Sequence, residues 1–247
     1  MKKQSKVFTL VELLVVIGIL GILMGVLIPK IGGAMNDAKQ MEVTTKGRSL
    51  FQQISQAGIK SYEHDPYALF PRSSKNISDD PEDITGQTFG NSTEYFKKLL
   101  DIENYGSKKW RPRVKDIEPA ALSGSGVPAP ANGTLEAKNV MWCIAQGVTD
   151  AIPEIVPVLV TRNANVKDLF TTGEFNGKDR KEVGLGKDGG GESETPFGDK
   201  SFVLVRRSGA VEAIESSDAI LTRIYQSQRF QIDADLGFDY LQTGASN

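Results

Sequence analysis

One stretch constrains what this chain can become. From Phe8 to Ile28 the sequence reads FTLVELLVVIGILGILMGVLI, and its one ionisable side chain is Glu12. A helix of about 20 apolar residues crosses a bilayer, so the run is long enough to span one. A carboxylate in apolar surroundings costs on the order of several kcal/mol unless it finds a partner or reaches water. Glu12 therefore has two readings. It is held by a partner, or it snorkels to the headgroups near one end of the helix.

The flanks orient the run. Met1 to Val7 is short and carries Lys2, Lys3 and Lys6. The positive side faces the cytoplasm, which places whatever follows the run on the far side of the inner membrane. A secretory signal peptide has a shorter apolar core and a small-residue cut at its end, and Gly33-Ala34 is only a weak match to that. Gly18, Gly21 and Gly25 recur at spacings of three and four, where small residues admit another helix closely. Pro29 removes a backbone donor and is expected to kink or melt the helix locally, and Gly32-Gly33 adds freedom.

Lys6-Val7-Phe8-Thr9-Leu10-Val11-Glu12-Leu13-Leu14-Val15-Val16-Ile17 resembles the N-terminal methylation segment of type IV pilins and of type II secretion pseudopilins. Phe8, Glu12 and Pro29 all fall in the register of that segment. The chain departs from it at Val7, where the family usually has glycine before the cut. The resemblance covers about the first 50 residues, and it implies a leader of residues 1–7, removed by a prepilin peptidase between Val7 and Phe8. It implies a filament-core helix over 8–28 that first anchors the chain in the inner membrane. It also implies assembly by dedicated machinery into a helical polymer with itself or with other pilins, in the periplasm or at the cell surface. The assembly residues it points to are Phe8, Thr9 and Glu12, with Pro29 as the helix break. A free amine on Phe8 of a neighbouring subunit would neutralise Glu12 and so fix the stagger between copies.

Composition narrows the rest. The formal net charge is −2, and loss of Lys2, Lys3 and Lys6 with a leader would take it to about −5. That mild acidity speaks against a nucleic-acid partner. The one cysteine, Cys143, can make no internal disulfide. The one histidine, His64, leaves no basis for a zinc site or a histidine-based triad, so an enzyme is not expected. His64 reads as a surface turn residue.

The expected fold class is α+β: a long N-terminal helix packed on a small antiparallel sheet with long loops, as in pilin heads. The expected divisions are 1–7, 8–28, a helix continuation over 29–61 and a head over 62–247. Ala34, Ala38, Met41, Leu50, Phe51 and Ile54 form an apolar stripe at helical spacing. Residues 64–93 read as a long loop, followed by a short helix to Leu100 capped by Ser92 or Thr93. The tract 123–134 reads as mobile and low in complexity. Residues 139–148 read as a buried helix or strand containing Trp142 and Cys143. Strands are expected at 155–161, 201–207 and 210–214, the last two as a hairpin about Ser208-Gly209, together forming one antiparallel sheet. A helix is expected over 218–225, capped by Ser217 or Asp218, and the tail from 226 alternates polar and aromatic residues as for a subunit contact.

The segment 176–200 holds seven glycines with Asp188, Glu192, Glu194 and Asp199 among its acids. It reads as a solvated loop. The alternative is calcium on those four acids, since flexible oxygen-rich loops bind that ion. Two functional readings stand side by side: a structural subunit of a filament, and a signal-anchored periplasmic domain that binds a ligand without polymerising.

Overall fold

The computed structural model describes residues 9–61, 65–73, 88–100, 117–130 and 135–244. Helix α1 spans Leu10–Ser61. It passes through Pro29 without leaving the helical state, so the expected melting is not met. Proline deletes a single donor, and the remaining hydrogen bonds carry the helix across it. The chain divides into two units, Met1–Lys39 and Gln40–Asn247.

In the second unit α1 supplies one wall of the core. Val43, Gly47, Leu50, Ile54 and Ala57 recur at spacings of four and three, and all are buried. The stripe expected from sequence is corrected in its first half. Leu50, Phe51 and Ile54 are buried, but Ala34, Ala38 and Met41 are exposed, Met41 by 75%. The buried apolar face begins only at Val43, one turn after Gln40, whose amide donates to Ser201 Oγ and Glu215 Oε1.

Gly47 is where the ring of Trp142 crosses the helix. A Cβ there would lie 2.7 Å from Trp142 Cη2 and 3.0 Å from Val205 Cγ2. The indole cannot retreat easily, because it is fully buried and its Nε1 donates to the Ala121 carbonyl at 2.9 Å. Gly47→Ala gains about 1 kcal/mol of helix propensity but overpacks this contact at a cost of roughly 1–3 kcal/mol. A net loss of about 1 kcal/mol is expected, read as a lower urea midpoint at unchanged slope. A rise in the midpoint would show that the ring yields.

The strands are β1 (Trp142–Gln146), β2 (Pro157–Thr161), β3 (Gly173–Phe175), β4 (Ser201–Arg206), β5 (Val211–Glu215), β6 (Phe230–Ile232) and β7 (Asp239–Leu241). The main sheet has the order β5-β4-β2-β1-β7 and is antiparallel throughout. With α1 it makes an α+β fold. The three expected strands pair as adjacent members of this sheet, and β1 and β7 extend it. Pro157 is the first residue of β2, where a missing donor costs least, and the register shifts between it and Leu159. The hairpin between β4 and β5 turns at Gly209 with φ +82°, a conformation suited to glycine.

Helix α2 covers Ser92–Leu100 and buries Tyr95, Phe96 and Leu99. Its cap differs from expectation. Asn91 Oδ1 accepts from the Glu94 amide at 2.9 Å, while Ser92 and Thr93 turn their hydroxyls to the carbonyls of Leu241 and Thr243. Helix α3 is short, Leu221–Ile224, with no side-chain cap, because Ser216–Asp218 form a separate 3-10 turn. The tail is not left free: β6 pairs with β3, and Phe230 packs with Phe170, Phe175 and Tyr225.

Two loops carry hydrogen bonds that their composition did not suggest. Of the 123–134 tract, residues 123–130 are described: Gly124 bridges Val127, and α1 holds the turn, with Lys46 donating to the Ser123 carbonyl at 2.6 Å and Ser125 donating to Glu42 at 3.0 Å. The Lys46 ammonium against Glu42 keeps that carboxyl below its ordinary range. The 176–200 segment is laid down by backbone bonds, among them Gly186 N to Asn163 O at 2.7 Å and Val183 N to Ala219 O at 2.7 Å. It remains a loop with many exposed residues, but Gly177, Gly184, Gly189 and Gly191 approach backbone too closely for a side chain.

Candidate functional site

The candidate site is the first part of α1. Leu10, Leu13, Ile17, Leu20, Leu23 and Leu27 are all exposed, from 78% at Leu10 to 48% at Leu20. The same holds round the whole helix, so no side of it is reserved for its own chain. Within α1 lies a segment long and apolar enough to cross a membrane, and none of it is buried in the protein. Among the described residues, a Cβ at Gly18, Gly21 or Gly25 would meet nothing within 4 Å.

The start of the helix shows what Glu12 does in the single chain. The Glu12 carboxylate accepts from the Thr9 amide and the Thr9 hydroxyl, both at 2.8 Å. Thr9 Oγ1 in turn accepts from the Glu12 amide at 3.3 Å. This is a reciprocal capping box, with Thr9 as cap and Glu12 in the third helical position. The carboxylate also sits at the positive end of the helix dipole. Sequence reasoning weighed a partner or the headgroups for this acid and missed the T-x-x-E spacing of Thr9 to Glu12 that signals the box. Val7 and Phe8 lie outside the described residues. Pro29 lies inside α1, 17 positions beyond Glu12.

No family model, curated protein or solved structure matches this chain.

The other candidates separate. Asp188, Glu194 and Asp199 are exposed, whereas Glu192 is half-buried and accepts from the Thr243 amide at 2.6 Å and from the Gly244 amide at 3.3 Å. Among the described residues, no three of the His, Cys, Asp and Glu side chains gather as ligands for a metal. His64 lies outside the described residues. Cys143 is buried in β1, and burial pushes its thiol well above the ordinary value, so it is a core side chain. A cleft of about 560 Å³ is lined by Asp65, Tyr67, Phe70, Arg72 and Thr149 among others. Among the described residues its only acid is Asp65, which accepts from the Tyr67 amide at 2.8 Å and closes a local turn.

Sequence reasoning also gave no role to two buried arginines. Arg162 donates to the carbonyls of Ala137 at 2.9 Å and Val140 at 3.1 Å, and to the Thr195 hydroxyl at 2.7 Å. Arg206 ties Ile155 and Ile224 to β4. Neither was legible, because most of their partners are backbone carbonyls distant in sequence.

Proposed function

We propose that this protein is a pilin-like or pseudopilin-like structural subunit, anchored in the inner membrane by α1 and assembled through that helix into a filament. The observation that carries this reading is the apolar surface of residues 10–28, which the chain leaves exposed on every side. Such a surface requires a cover of lipid or of other copies. The segment that resembles a prepilin start occupies the same helix. An α+β head built on the second half of that helix fits the same class. Cleavage before Phe8 by a prepilin peptidase and methylation of its amine belong to the proposal.

N-terminal sequencing of the mature protein tests processing: a start at Phe8 is expected, and a start at Met1 overturns the processed-filament reading in favour of a signal anchor. Electron microscopy of sheared or purified material tests assembly directly, with filaments expected.

The capping box dictates how Glu12 should be tested. Glu12→Ala removes both the charge and the cap, so its loss of assembly is ambiguous. Glu12→Gln keeps a side chain that serves a capping box but removes the charge. We expect Glu12→Gln to insert into membranes normally and to lose filaments at least tenfold. Thr9→Ala, which keeps the acid but removes the capping hydroxyl, should reduce filaments less than Glu12→Gln does. Normal filaments from Glu12→Gln would leave Glu12 as a cap alone.

A further inference from the structure

Residues 239–244 close the main sheet along the outer edge of β1, and the hold on their last four residues comes chiefly from side chains of other elements. The Ser92 hydroxyl stands between two strands. It accepts from the Ile144 amide at 3.0 Å and donates to the Leu241 carbonyl at 2.5 Å. The Ser92 amide donates to the Gln242 carbonyl at 2.6 Å, and the Thr93 hydroxyl donates to the Thr243 carbonyl. Glu192 takes the donors of the same stretch: the amides of Thr243 and Gly244 and the Thr243 hydroxyl all point to its carboxylate. The Arg162 guanidinium lies within electrostatic reach of that carboxylate.

We propose that residues 239–244 form a closing strap locked by Glu192, which can open from β1 while β5, β4, β2 and β1 remain paired. Two features support this. The β7 ladder is only three residues long. The polar lock concentrates on one carboxylate, and hydrogen bonds to an ionised group are about twice as strong as neutral ones. The apolar anchors Phe238, Tyr240 and Leu241 give the strap a seat to return to. Opening it bares β1, whose first four residues are fully buried, as an unpaired apolar edge of the kind natural sheets keep covered.

Hydrogen exchange on the full chain in detergent micelles tests this. In the wild-type protein the amides of Ile144, Thr243 and Gly244 are expected to exchange as one group, at least tenfold faster than those of Val160 and Val203. Glu192→Ala should speed that group at least a further tenfold and leave Val160 and Val203 unchanged. Wild-type exchange of all five amides at one rate overturns the strap, and so does a Glu192→Ala effect spread evenly over the sheet. If Glu192→Ala does not fold, the wild-type rates alone decide.

Discussion

A chain lacking residues 1–33 is expected to leave the membrane fraction completely and to behave as a soluble head that unfolds cooperatively. The residues removed include almost all of the exposed apolar run, and the core residues Val43, Leu50, Ile54 and Ala57 remain. Burying one large aliphatic side chain is worth about 1.5–3 kcal/mol. The run from Leu10 to Ile28 presents many of these, so on the proposed reading the full chain is expected to resist extraction by a salt wash. The truncated unit keeps the whole β5-β4-β2-β1-β7 sheet and its helical wall. Fractionation with carbonate extraction, followed by a thermal melt of the soluble protein, checks both halves. A truncated chain that still needs detergent would place another membrane-seeking surface on the head.

The largest single-residue effect is expected at Arg206, which is 3% exposed. Its Nη1 donates to the carbonyls of Ile155 at 2.7 Å and Ile224 at 2.8 Å, and its Nη2 meets Glu212 at 2.6 Å. Arg206→Met leaves both carbonyls without this donor at a cost of roughly 1–3 kcal/mol each. The orphaned Glu212 adds less, since its side chain is 28% exposed and Arg223 lies 3.8 Å away. A loss of about 3 kcal/mol follows, which for a domain of this size lowers Tm by roughly 6–12 °C. Arg206→Lys should recover only part of it, because a single ammonium cannot match the fork. A melt unchanged by Arg206→Met would mean that water replaces the guanidinium.

Where the sequence was legible, local chemistry and burial agreed. Leu50, Phe51 and Ile54 announced a buried helix face, and Ser208-Gly209 announced the β4–β5 hairpin. Ala34, Ala38 and Met41 carry the same spacing with nothing packed on it, because periodicity defines a face but not its cover. β1 was ambiguous because four of its five residues are buried, which erases the alternation that marks a strand. At Asn91-Ser92-Thr93 three residues in a row can cap a helix, and the choice among them is made by Leu241 and Thr243, far away in sequence. Glycines around 184–191 read as solvent-facing freedom. Three of them, Gly184, Gly189 and Gly191, are close approaches to the backbone of Gly189, Leu185 and Asn163. At the candidate site the apolar run and Glu12 were plain, but the bond from Glu12 to Thr9 was missed.

Ile144 faces Leu241 across the sheet, so the earliest strand of the head is completed by the latest. On a chain growing at about 5–20 residues per second, roughly 5–20 s separate the synthesis of Gln146 from that of Asp239. Throughout that interval α1 is already made and able to enter the bilayer, while the head has an unfinished edge. Pairings so distant along the chain also fold slowly. On the proposed membrane-anchored reading, insertion of α1 precedes the pairing of β7 with β1, and the main sheet is completed only after β7 has been made.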